Sequence, residues 1–155
     1  MHIVLDTKVL VSGLTSARAA PGRIVDLLRT GRITLVLDDR IFAEYHEVLA
    51  RPHLSAYFRK SEVSHILDYI SHCAYRVIVI ETIRGLPDPG DLPFLEVAWA
   101  VSIKGSPISG AEYSIPLVTG NARHSPRELC RGIQVLSPAG FIESYRFPEK
   151  ETSPG

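Results

Sequence analysis

Apolar positions along this chain fall into short solid runs separated by longer stretches of helical period. "HIVL" before Asp6, "ITLVL" from Ile33 to Leu37, "RVIVI" from Arg76 to Ile80, "PLVT" ending at Thr119, and "IQVL" read as five strands. Such runs suit strands buried on both faces of a parallel sheet. Between them lie amphipathic patterns. "TKVLVSGL" reads as a short helix with Gly13 near its end. "GRIVDLLRTG" follows Pro21, carries Ile24, Val25, Leu27 and Leu28, and stops at Gly31. Asp38 or Asp39 caps a helix running to about Arg51, before Pro52. "SEVSHILDYISHCA" repeats Val63, Ile66, Leu67 and Ile70, with Ser61 as its N-cap. "RGLPDPGD" is turn chemistry. A helix from Asp91 to about Ile103 follows, then "SPRELC" as a short helix and "SPAGFIESY" as the last. Strands alternating with helices predict an α/β fold with a parallel sheet covered on both faces.

Composition fits one globular domain. The chain has 155 residues, 45% hydrophobic and 22% charged, enough for a core without staples. We expect a single domain over residues 1–146 and a frayed tail over 147–155. Lys plus Arg number 17 and Asp plus Glu 17. That balance argues against a broad basic face for nucleic acid, although Arg123, Arg127 and Arg131 can form a local one. Cys73 and Cys130 lie in no zinc-binding spacing, and two isolated thiols suit a reducing cytosol. No apolar run approaches membrane-spanning length and no cleavable leader precedes the first strand, so the cytoplasm is the expected location, away from membranes.

Three carboxylates stand out: Asp6 at the end of the first strand, Glu44 in "RIFAEYHEVLARP", and Asp91 at the start of "DLPFLEVAWA". Each alone has a plain structural explanation. Asp6 and Asp91 can be helix caps, and Glu44 a solvated helical acid with Glu47 as an equal neighbour. Ligands of parallel sheets gather outside the carboxyl ends of the strands. Carboxylates brought together there form a hard-oxygen site for Mg²⁺ or Mn²⁺.

The order and wording of these segments resemble the PIN-domain nucleases over roughly Met1 to Tyr145. The resemblance rests on "IVLDT" with "VLVSGL", "EYHEVLARP", "LPDP" with "DLPFLEVA", and "GIQVLSPAGFIE". "LVTGN" with His124 and Pro126 is similar to the toxin branch of bacterial toxin–antitoxin systems. The resemblance implies a three-layer α/β/α sandwich with a central, mainly parallel sheet. It implies metal-dependent cleavage of single-stranded RNA, Mg²⁺ or Mn²⁺ as cofactor, a small antitoxin protein as partner, and room for a homodimer. Carried over by residue, Asp6, Glu44 and Asp91 are the catalytic and metal-holding acids. Asn121 stands where many PIN domains have a fourth acid. Thr119, Asn121, His124 and Lys8 are accessory or substrate-facing.

The chain departs from the pattern at two places. Lys8 stands where Asn is usual, and Gly90 where a further Asp is common. Lys8 has three readings: a counter-charge among the carboxylates, a clamp on the scissile phosphate, or a side chain pointing elsewhere. These departures keep open a second function, a degenerate PIN module that binds RNA or a protein without efficient hydrolysis. A flavodoxin-like receiver also needs acids at strand ends, but no Lys follows the fifth strand to suit one. The stretch "KGSPISGAEYSIP" is longer than the usual connection and reads as a surface loop with Glu112 exposed.

Overall fold

In the computed structural model, residues 1–80, 89–103, 115–122 and 132–145 are described. The expected helix in "SPRELC", most of "RGLPDPGD", the long connection with Glu112, the arginines 123, 127 and 131, Cys130 and the tail lie outside them. Five strands form one parallel sheet: β1 (His2–Leu5), β2 (Thr34–Leu37), β3 (Tyr75–Arg76), β4 (Leu117–Val118) and β5 (Val135–Leu136). Their spatial order is β3-β2-β1-β4-β5, and every pairing is parallel. Among the described residues, six α-helices accompany the sheet: α1 (Thr7–Thr15), α2 (Ala20–Arg29), α3 (Asp39–Leu49), α4 (Lys60–Cys73), α5 (Leu92–Ile103) and α6 (Pro138–Ser144). The architecture is the three-layer α/β/α sandwich expected from the sequence.

The strands form where the apolar runs require them. Ile3, Val4 and Leu5 of β1 and Leu35, Val36 and Leu37 of β2 are all buried, as central parallel strands should be. Helix α5 packs on β1, β2 and β4. It is apolar nearly all round, and Phe94, Leu95, Val97, Ala98, Trp99 and Val101 are all buried, which marks a helix enclosed by the fold rather than lying on its surface. One charge, Glu96, is buried with them.

Helices α1 and α2 approach closely because two glycines face the contact. A Cβ on Gly13 would meet Val25 Cγ2 and lie 2.5 Å from the Pro21 carbonyl oxygen, and one on Gly22 would collide with the backbone of Ser16 and Ala17. Three details differ from the sequence reading. Helix α4 starts at Lys60 with Arg59 as its N-cap, because the amides of Glu62 and Val63 bond the Arg59 carbonyl; Ser61 therefore sits inside the first turn. Pro21 also lies within the first turn of α2 rather than before it, a place where proline is tolerated. The third strand is only two residues long. Its neighbour β2 ends at Leu37, whose carbonyl takes a last bond from the Val77 amide. Past the end of β3, Ile78 and Ile80 stand exposed.

Candidate active site

Asp6 and Thr119 meet because of strand register. Leu5 pairs with Val118, so the next residue of each strand emerges at the same edge. The Asp6 amide also donates to the Val118 carbonyl at 3.0 Å. This is the switch point of the sheet: from β1 the order runs to β2 on one side and β4 on the other, leaving a crevice at the carboxyl ends.

Asp6 is buried there. Thr119 Oγ1 donates to Asp6 Oδ2 at 2.6 Å, and the Lys8 amide donates to Oδ1 at 3.2 Å. The second contact makes Asp6 the N-cap of α1. Capping thus occupies one oxygen and leaves the other to the threonine, so the structural and chemical explanations of Asp6 coexist. The Asn121 amide donates to Thr119 Oγ1 at 3.2 Å, which directs the hydroxyl proton toward Asp6.

Asp91 closes the short 3₁₀ turn Pro89–Asp91 that leads into α5. It lines one small recess with Asp6, Phe94, Leu95, Leu117 and Thr119. Glu44 stands beside this recess rather than among its lining residues. It is half-buried on α3, and its Oε2 accepts a very short hydrogen bond from the hydroxyl of Thr7, the residue after Asp6. Buried Tyr45 reports the proximity of the acids. Its hydroxyl donates to the Leu5 carbonyl at 2.5 Å. Burial, and then the charges of Asp6 and Glu44, push this phenol well above its ordinary range.

Among the described residues, no three carboxylate, imidazole or thiol groups form one ligand cluster. Two carboxylates share the recess, and a third, that of Glu44, is held by Thr7, the residue after Asp6. Lys8 is exposed, and no ion pair joins it to a described carboxylate. Its place in the first turn of α1 turns the side chain outward while its amide serves Asp6. His124 lies outside the described residues.

A family model for the PIN domain matches residues 2–104. The chain belongs to the PIN-domain family. PIN domains are nuclease-type domains, generally dependent on divalent metal and typically RNA-binding. No curated protein and no solved structure matches the chain significantly.

The donor chemistry of this PIN domain fits such an ion. The recess offers carboxylate oxygen from Asp6 and Asp91, and Mg²⁺ is commonly held by one or two carboxylates plus waters and substrate phosphate.

Sequence reading missed a second constellation at the same edge. Asp38 caps α3 by accepting from the Ile41 amide at 3.1 Å. Arg40 bonds Asp38 Oδ2 through Nε at 2.9 Å and Nη2 at 2.8 Å, and reaches Glu96 Oε1 through Nη1 at 2.8 Å. Burial acts to lower the Arg40 pKa, but the hydrogen bonds and charges of Glu96 and Asp38 outweigh it, and the pKa is raised. The available signal was a lone acid in the middle of an otherwise apolar helix, which demands a partner.

Proposed function

We propose that this PIN domain is a Mg²⁺- or Mn²⁺-dependent endoribonuclease that cleaves single-stranded RNA. In this reading it works in the cytoplasm as the toxin of a toxin–antitoxin pair, silenced by a small antitoxin protein. The observation that carries the catalytic part is the shared recess of Asp6 and Asp91 at the sheet switch point, with Asp6 oriented by Thr119.

Asp6 and Asp91 would hold the ion. When bound, it supplies Lewis acidity that makes a water acidic and offsets charge on the phosphoryl group. The chain's own residues do the positioning. Thr119 and the Lys8 amide fix the two Asp6 oxygens. Thr7 fixes Glu44, which, like Asp91, can orient the attacking water. Asn121 holds the Thr119 hydroxyl in register from the rim.

The test is a calorimetric Mn²⁺ titration and a cleavage assay on labelled single-stranded RNA, with wild type, Asp6→Asn and Asp91→Asn. Loss of a ligating carboxylate should cost at least what loss of an outer-shell partner costs, about tenfold in affinity, and should abolish cleavage. Equal affinity and equal cleavage in all three proteins would remove this site. The runner-up, a module that binds RNA without cutting it, is favoured by Gly90 and Asn121, which stand neutral where acids are common in the family. Wild type that binds Mn²⁺ and RNA but leaves the RNA intact would select it.

A further inference from the structure

We propose that Arg40 is a positioning residue: its guanidinium clamps the start of α3 to α5 and thereby sets the spacing between Glu44 and Asp91. This rests on the nuclease reading for its consequence, and on geometry alone for the clamp.

Arg40 and Glu44 are four residues apart on α3, so they share one face. Glu44 points to Thr7 beside Asp6. Arg40 points to Glu96 Oε1 at 2.8 Å on α5, a little over one turn beyond Asp91. The same guanidinium grips Asp38 at the end of β2. One planar group therefore spans the end of a central strand, the first turn of α3 and the first half of α5. Glu44 lies on α3, and Asp91 ends the turn that leads directly into α5.

The clamp is strongly held. The Glu96 side chain is 2% exposed and that of Asp38 8%. A buried carboxylate without compensation is costly, and breaking one partner of such a pair destabilises far more than replacing both. The fork geometry matters as much as the charge, because an ammonium cannot reproduce two bonds to one carboxylate and a third to another in fixed directions. Nothing in this arrangement requires Arg40 to touch the ion or the RNA, although its side chain is 46% exposed.

Arg40→Lys keeps the charge and removes the fork. Arg40→Met with Glu96→Met and Asp38→Asn removes all three charges, keeps a capping oxygen at position 38, and guards against a variant that merely fails to fold. Three measurements apply to each: amide hydrogen exchange of metal-free protein, Mn²⁺ affinity by calorimetry, and kcat and KM on single-stranded RNA. We expect both variants to fold and to exchange faster at the starts of α3 and α5. Mn²⁺ affinity should fall about tenfold, the usual effect of losing an outer-shell support, and kcat should fall with it while KM for RNA stays unchanged. Unchanged exchange at both helix starts would overturn the clamp. Faster exchange with unchanged Mn²⁺ affinity and kcat would overturn its role in the site. A rise in KM alone would make Arg40 an RNA contact instead, and would equally overturn the proposal. Wild type that neither binds Mn²⁺ nor cuts RNA would sink the nuclease reading, and the exchange measurement would still decide the clamp.

Discussion

Thr119 shows how much a single hydroxyl can set. It follows β4 directly and is buried. Its proton goes to Asp6 at 2.6 Å, and its oxygen takes the Asn121 amide at 3.2 Å. Thr119→Val keeps the shape and removes both bonds. A buried carboxylate that loses a donor costs about 1–3 kcal/mol, so the melting temperature of metal-free protein should fall. The Asp6 carboxylate should also lose its orientation, weakening Mn²⁺ binding about tenfold. Thr119→Ser should restore both properties. Calorimetry that finds Val and Ser variants equal would show that the hydroxyl is idle. At this scale the sequence was partly legible. Asp6, Asp91 and Thr119 follow strands or open helices, and such placements can be read from apolar runs. Lys8 was ambiguous, because one turn of helix decides whether a long side chain enters the recess or leaves it. Glu96 went unread because a helical acid is normally solvated, and only its apolar neighbours on every side reveal that it is not.

Elements were more legible than residues, because their signal is repeated along the chain. The period of "GRIVDLLRTG" predicts α2 and its stop at Gly31, whose φ of 71° suits glycine. What periodicity does not carry is the partner across a gap. The five-residue "RVIVI" run predicts a strand, yet only its first residue lies in β3, the others continuing past the end of β2. The α1–α2 contact is a similar case. Gly13 lies near the end of α1, as the sequence suggests, but what the sequence does not show is that it is buried there and lets α2 approach. Gly13→Ala should therefore destabilise the fold despite alanine's better helix propensity. The added methyl meets Val25 Cγ2 and the Pro21 carbonyl, and overpacking of this kind costs about 1–3 kcal/mol. Propensity would return about 1 kcal/mol, so the net effect should be a lower urea midpoint. A midpoint at or above that of wild type would show that the two helices separate freely.

At the scale of the molecule, the sheet order does the assembling. With β1 central and β4 on its far side from β2, residues more than a hundred positions apart become neighbours, and Asp6 meets Thr119 without any local sequence cue. The same edge collects cations. Lys8 follows β1, Arg40 follows β2, and Arg76 ends β3. Two of these are already engaged: Arg40 with Asp38 and Glu96, and Arg76 with Asp39 at 2.8 Å while stacking 4.8 Å over the Phe42 ring. The whole chain carries equal numbers of Lys plus Arg and of Asp plus Glu, 17 each, so net charge itself does not draw in RNA. For the RNA proposed as substrate, attraction then rests on local cations: Lys8 at this edge and the arginines at 123, 127 and 131. For single strands, log K falls with log salt at about −0.7 per neutralised phosphate. About three phosphate contacts would give a slope near −2. We expect that value for a labelled single-stranded RNA bound to Asp6→Asn, which leaves the substrate uncut, in fluorescence anisotropy at rising KCl. Lys8→Gln should flatten the slope by about 0.7 if its ammonium meets a phosphate, while leaving Mn²⁺ affinity of the otherwise wild-type protein unchanged because Lys8 is exposed. A slope several times steeper would mean that a larger basic surface carries the binding, and the edge would lose its place as the RNA path.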